Sequence, residues 1–263
     1  MAGILYGVKV SSFAHPDDLA AIRALKKAKA VDKLTAFIED RTTQAFLQTT
    51  TLGSCVRISR RSNERIYNAV KDTCEILQYD QIPEIFIHRS FSVDVAPHGV
   101  DKPIIVLSDF VANHFDDNLL HFAIGRAITR FKSDYLKFYI AASGIAMLAD
   151  QIQILSDAVK IPIANWMRKS ELTADRGGLL ACQNIHSAMK YLMLKSGMPL
   201  SALDAVNEID YVRTCISDSR LVNAAKTVLT LSNCQGWSND RIIELYNWYS
   251  RGDYDELLEE HME

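Results

Sequence analysis

From Asp116 to the last residue the sequence carries helical spacing almost without interruption, while every strand candidate falls before it. That division restricts the chain to a helix-dominated α+β architecture, a small sheet framed by helices. Asp17 and Asp18 precede apolar residues at Leu19, Ile22, Leu25 and Ala28, which predicts a helix start. A second helical pattern runs through Leu34, Phe37, Ile38 and Phe46. Ser54 to Ser59 then alternates with period two, as a short strand does. Glu64 to Leu77 returns to helical spacing, with Ile66, Tyr67, Val70, Cys74 and Leu77 on one side. Glu84–His88 and Lys102–Leu107 are the next strand candidates. Between them Pro97 and Gly99 predict an edge strand with a turn, because proline cannot donate to a central ladder. In the helical half, breaks are predicted near Pro162, at Gly197-Met198-Pro199 and over Asn233 to Asn239.

The 263 residues are 48% hydrophobic and 23% charged, which is ample core material for a globular chain. A net charge of −3 gives no footprint for nucleic acid. The five cysteines (Cys55, Cys74, Cys182, Cys215 and Cys234) are scattered and form no CxxC pair. They read as reduced thiols of a cytoplasmic protein. Met1 to Gly7 lacks a basic stretch followed by a long apolar one, so no signal peptide is expected. The uncharged stretch from Phe138 to Ala149 is shorter than the roughly 20 residues that cross a bilayer. It predicts a buried helix and no transmembrane segment. The aromatic residues Trp237, Tyr246, Trp248 and Tyr249 near the end are expected to pack into the core.

Two helical stretches carry paired charges. Ile124-Gly125-Arg126-Ala127-Ile128-Thr129-Arg130 places two arginines one turn apart on one face. Ser170-Glu171-Leu172-Thr173-Ala174-Asp175-Arg176 does the same with two carboxylates. Taken singly, each is an ordinary helix with a solvated pair.

Their order and surroundings are distinctive. Phe122-Ala123-Ile124-Gly125-Arg126-Ala127-Ile128-Thr129-Arg130-Phe131-Lys132-Ser133-Asp134 resembles the zinc-binding helix of the HtpX-like, prenyl-protease-type zinc metallopeptidases, peptidase family M forty-eight. That helix commonly runs Phe-Val-Ile-Gly-His-Glu-Leu-Gly-His-Ile-Lys-Ser-Gly-His. Glu171 to Ala181 is similar to the family's third-ligand segment, Glu-x-x-Ala-Asp-Arg-x-Gly-Leu-Leu-Ala. Pro83–Ile87 and Lys102–Leu107 resemble its sheet segments, while Ser54–Ile58 and Arg241–Tyr254 resemble its cytoplasmic members. The resemblance covers nearly the whole chain. It implies a zincin-like metallopeptidase fold in one domain over residues 1–263. Residues 1–78 would form N-terminal helices and a short strand, 79–195 the zincin-like core, and 196–263 the C-terminal helices.

The resemblance also implies a loss. The HExxH pattern needs two histidines one turn apart and a glutamate beside the first to polarise the bound water. Here those three positions are Arg126, Ala127 and Arg130. Arginine has five donors, no acceptor, and does not deprotonate, so it cannot ligate zinc. Alanine offers no carboxylate. The expectation is a pseudoprotease with no catalytic residue, no bound metal and no cofactor.

In place of the metal, Arg126 and Arg130 are expected to meet Glu171 and Asp175 in an ion-pair cluster around Ala127. Asp94, Val95 and Ala96 are the candidate peptide-binding edge, although Asp94-Val95-Ala96-Pro97 stands where the family has Asn-Ala. The family's late His-Pro is also missing around Cys234-Gln235-Gly236. The expected partner is a protein or peptide, which includes another enzyme or an active relative, with an oligomer among the options. Two alternatives stand beside this one. The cluster Arg126/Arg130/Glu171/Asp175 could carry altered, non-zinc chemistry, or other ligands could rebuild a zinc site. His114 and His121 are two turns apart, too far for one ion, and His88, His98 and His186 fall on separate elements.

Overall fold

The computed structural model describes residues 2–27, 49, 53–99, 102–148, 157–229 and 238–262. The predicted helix through Leu34 and Phe46, Trp237 and residues 233–237 of the break predicted over Asn233 to Asn239 lie outside the described residues, while Ser238 and Asn239 already belong to a helix.

A short helix α1 (Val10–Phe13) leads into α2 (Pro16–Lys27). Pro16 at the first position and Asp17 and Asp18 in the first turn explain where α2 begins. Strand β1 (Cys55–Ile58) is followed by α3 (Glu64–Ile76), whose N-cap Asn63 accepts from the Ile66 N–H at 3.1 Å. Strands β2 (Glu84–His88), β3 (Val95–His98) and β4 (Ile104–Ser108) complete a mixed sheet of order β1-β2-β4-β3. The β2–β4 pair is parallel and both outer pairs are antiparallel. Both faces of β4 are buried, which accounts for its unbroken run Ile104-Ile105-Val106-Leu107. Ile105 and Leu107 face the main helical core, and Ile104 and Val106 join Phe86 on the opposite face.

Ser108 and Asp116 cap α4 (Asp109–His114) and α5 (Asp117–Lys132) by accepting from Val111 and Leu119. Helix α5 is central: Phe122, Ala123, Ile124, Ala127 and Ile128 are all fully buried. Helix α6 (Leu136–Leu148) holds the uncharged stretch. Ala141 and Ala142 of this helix are buried in a second cluster formed with Ile22, Leu25, Ile163 and Trp166. Among the described residues no helix is long and apolar enough to cross a membrane.

One expectation needs correction. Pro162 does not break the helical half; it lies inside α7 (Asp157–Cys182). The missing proline donor costs one turn a hydrogen bond, but Ile163 and Trp166 directly beyond it are buried against α2 and hold the helix together. The short strand expected over Ser54 to Ser59 is present as β1, though without alternating burial. Val56 and Arg57 are both exposed, because β1 is an outer strand that the helical layer does not reach across.

The remaining elements are α8 (Ile185–Lys195), a 3₁₀ turn (Leu200–Ala205), α9 (Glu208–Leu229), α10 (Ser238–Ser250) and α11 (Asp253–His261). Gly197, at φ +102°, makes the turn after α8 that the sequence predicts. Trp248 is buried, while Tyr246 and Tyr249 pack half-buried against the core.

Candidate functional site: a buried arginine–carboxylate cluster

Helices α5 and α7 cross at close range because small residues line the crossing. A Cβ on Gly178 would stand 2.8 Å from Arg126 Cγ and 2.9 Å from the Phe122 carbonyl oxygen. One on Gly177 would overlap the Thr129 side chain. Neither position has room for a methyl group without moving backbone. Gly178→Ala is therefore expected to lower unfolding free energy by about 1–3 kcal/mol in a denaturant titration.

The crossing brings Arg126 and Arg130 of α5 against Glu171 and Asp175 of α7. Arg126 spends its whole fork. Its Nε donates to Asp175 Oδ1 at 2.7 Å, its Nη1 to the Tyr191 hydroxyl at 2.8 Å, and its Nη2 to Glu171 Oε2. Arg130 Nη2 donates to Glu171 Oε1. A third arginine arrives from α10. Arg241 holds Asp175 bidentately, Nε to Oδ2 and Nη2 to Oδ1, both at 2.7 Å. Arg126, Arg241 and Asp175 are 4%, 3% and 1% exposed, so this inner part is removed from water. Glu171 keeps 18% of its side chain exposed and forms the outer part with Arg130.

Aromatic rings complete the setting. The Arg130 guanidinium lies 4.3 Å from the centre of the Tyr139 ring, and that of Arg126 lies 5.2 Å from Tyr191. Ala127 packs fully buried in the main core. The Nε of Arg130 is buried without a hydrogen-bond partner. Asp18 of α2 contributes a further buried carboxylate near Arg130, accepting from Thr173 Oγ1 at 2.6 Å and Trp166 Nε1 at 3.1 Å. Burial raises its pKa despite those two donors and the charge of Arg130.

Burial alone would also raise Glu171. The guanidinium charges of Arg130, Arg126 and Arg241 outweigh it and hold the carboxyl well below the ordinary carboxylate range. Burial would lower the Arg126 pKa, but Tyr191, Glu171 and Asp175 leave it raised. The sign of the pH effect follows. A depressed folded pKa means Glu171 stabilises fully above its unfolded value, about 4.3, and loses that contribution as pH falls through its folded value. Wild type is expected to lose more stability than Glu171→Gln when chemical unfolding is followed from about pH 6 down to about pH 3.

This donor set does not fit zinc. Both Glu171 oxygens accept from arginine, and the side chains on α5 that face it carry donors only. Among the described residues no group of three or more His, Cys, Asp or Glu is placed to hold a metal ion. Three histidines each meet a single partner: His121 Nδ1 with Thr73 Oγ1 at 2.9 Å, His114 Nδ1 with the Phe110 carbonyl at 2.9 Å, and His186 Nδ1 with Glu208 at 2.8 Å.

The candidate edge Asp94-Val95-Ala96 lies at the β3 end of the sheet. The Asp94 carbonyl accepts from the Ser108 N–H at 3.0 Å, so Asp94 and Ala96 direct their backbone groups towards β4. Val93, Val95 and Pro97 therefore face the outer side. Lys195 of α8 donates to the Val93 carbonyl at 2.7 Å, Val95 is 4% exposed, and Pro97 has no N–H. This edge is blunted at each of its outward positions.

Sequence reasoning missed Arg241, Tyr191 and Asp18. For Arg241 a signal exists: it shares a helical face with the buried Leu245 and Trp248, and a charge on a buried face needs a partner.

No family model matches the chain. No solved structure matches it. Among curated proteins the chain is similar to the plastoglobule-localized metallopeptidase 48, chloroplastic, of Arabidopsis thaliana, at 20% identity over 201 residues. The match takes in 74% of this chain and 58% of that protein, so the chain spans less than two thirds of the relative's length. The similarity is to a metallopeptidase.

Proposed function

We propose that this chain is a non-catalytic, metallopeptidase-derived protein of zincin-like fold that binds a peptide or protein partner as a scaffold or regulatory subunit. The observation that carries the reading is the cluster itself. Two carboxylates on α7 are held by guanidinium groups from α5 and α10, and no oxygen of either is left without a donor. The charge a divalent ion would bring is supplied by side chains, and a core once built around a cation keeps its electrostatic balance. The similarity to a named metallopeptidase supports the ancestry. A cytoplasmic setting is part of the proposal and rests on the scattered thiols, of which Cys74 and Cys182 are buried with their pKa pushed up to about 12.

Altered chemistry at the same cluster is the weaker reading. A general base works best with a pKa near the operating pH, and Glu171 is held far below that. The discriminating experiment is a casein-type endopeptidase assay on the chain alone, with and without added zinc. The reading predicts no cleavage above a Arg126→Ala control. Zinc-dependent cleavage would reject it.

A further inference from the structure

The opposite margin of the sheet differs from the blunted one. The Glu84 N–H donates to the Pro103 carbonyl at 2.9 Å, so Glu84, Phe86 and His88 turn their backbone groups to β4. Ile85 and Ile87 turn theirs to β1, where the register sets them opposite Ile58 and Val56. Val56 and Ile58 thus close the β1–β2 ladder. Cys55 and Arg57 point an N–H and a C=O each to the outside, and among the described residues no strand pairs with them. The next outward donor, the Ser59 N–H, is capped by Ser62 Oγ at 2.8 Å, which ends the open stretch. No proline interrupts it, and Val56 is 66% exposed.

The surroundings are basic. Arg57, Arg60, Arg61 and Arg65 follow or lie in the strand, and Arg89 stands beyond the Cys55 end. Arg57, Arg60 and Arg65 share exposed pairs with Glu84, Glu64 and Asp117, which are weak in water. Arg61 and Arg89 have no ion-pair partner among the described residues, in a chain of net charge −3. Arg61 and Arg89 thus leave one exposed positive charge beyond each end of a strand that no described strand covers.

We propose that β1 is a docking edge that takes an extended acidic segment of a partner protein by strand addition. The outward N–H and C=O groups of Cys55 and Arg57 supply main-chain affinity. Arg61 and Arg89 select acidic side chains at the two ends, and Val56 receives an apolar one between them. This inference stands apart from the reading of the arginine–carboxylate cluster, and either can fail without the other.

The test is an NMR titration of the isotope-labelled full chain with an acetylated, amidated hexapeptide of alternating glutamate and valine. Saturable shifts are expected at the Cys55 and Arg57 amides. Binding should weaken at least tenfold when lysine replaces glutamate in the peptide, and similarly in Arg89→Glu. Arg57→Pro should abolish it while leaving the ladder to β2 intact, since the Arg57 N–H points outward; unchanged chemical shifts for Ile85 and Ile87 check this. Equal binding of both peptides, shifts elsewhere, or no binding would overturn the proposal. Protection of β1 amides through self-association in the absence of peptide would instead assign the edge to a second copy of this chain and overturn the acidic partner.

Discussion

Arg126→Ala is expected to destabilise the fold by on the order of 3–5 kcal/mol, measured by denaturant unfolding at neutral pH. Arg126 is 4% exposed and serves three partners at once, so truncation strands the Tyr191 hydroxyl and removes a donor from each of two carboxylates. Most of the loss is the desolvation cost of charges left behind, not the worth of one ion pair. Arg130→Ala should cost less, because Glu171 is partly exposed and water can replace the missing donor. A near-neutral Arg126→Ala would show that the inner cluster is not a closed electrostatic unit.

The second large effect is a gain. The triple variant Arg126→His, Ala127→Glu and Arg130→His is expected to take up one zinc per chain. The helix crossing at Gly177 and Gly178 already brings Glu171 to the face that would carry the two imidazoles. Asp175 would not be orphaned, because Arg241 holds both its oxygens. Two guanidinium charges leave and a dication replaces them. Ala127 is fully buried, so the new glutamate is costly without metal, and the variant should melt low when apo and recover with zinc. A folded variant that ignores zinc would mean Glu171 is not at the third-ligand position.

Much of this arrangement is legible in the sequence because it rests on local spacing. Arg126 with Arg130, and Glu171 with Asp175, are one turn apart on their own helices, so the sequence alone predicts two faces of opposite charge. Pro97 likewise predicts an outer strand, which β3 is. What the sequence hides is long-range. Arg241 meets Asp175 across 66 positions, and nothing local distinguishes it from a surface arginine except the apolar face it shares. Asp18 reads as a helix-start residue and is that too, but its carboxylate is buried by Thr173 and Trp166, 155 and 148 positions away. Pro162 misleads for a related reason. The local rule ends a helix there, and tertiary packing of Ile163 and Trp166 overrides it.

The β1 edge and the β3 edge show how little composition says about which strand margin is open. Both are four residues long. One carries proline, a lysine capping the Val93 carbonyl, and a buried valine; in the other no described strand pairs with the outward backbone of Cys55 and Arg57, and Arg61 and Arg89 have no ion-pair partner among the described residues. The phase of each ladder, fixed by single hydrogen bonds at Glu84 and Ser108, sets which backbone groups face outward.

The central claim is that side-chain cations stand where a metallopeptidase holds its metal. Its most direct test is the metal content of the native chain, purified without chelator and measured by inductively coupled plasma mass spectrometry beside the zinc-loaded triple variant. The account predicts background zinc in the native chain and one equivalent in the variant; one tightly held zinc per native chain would contradict it.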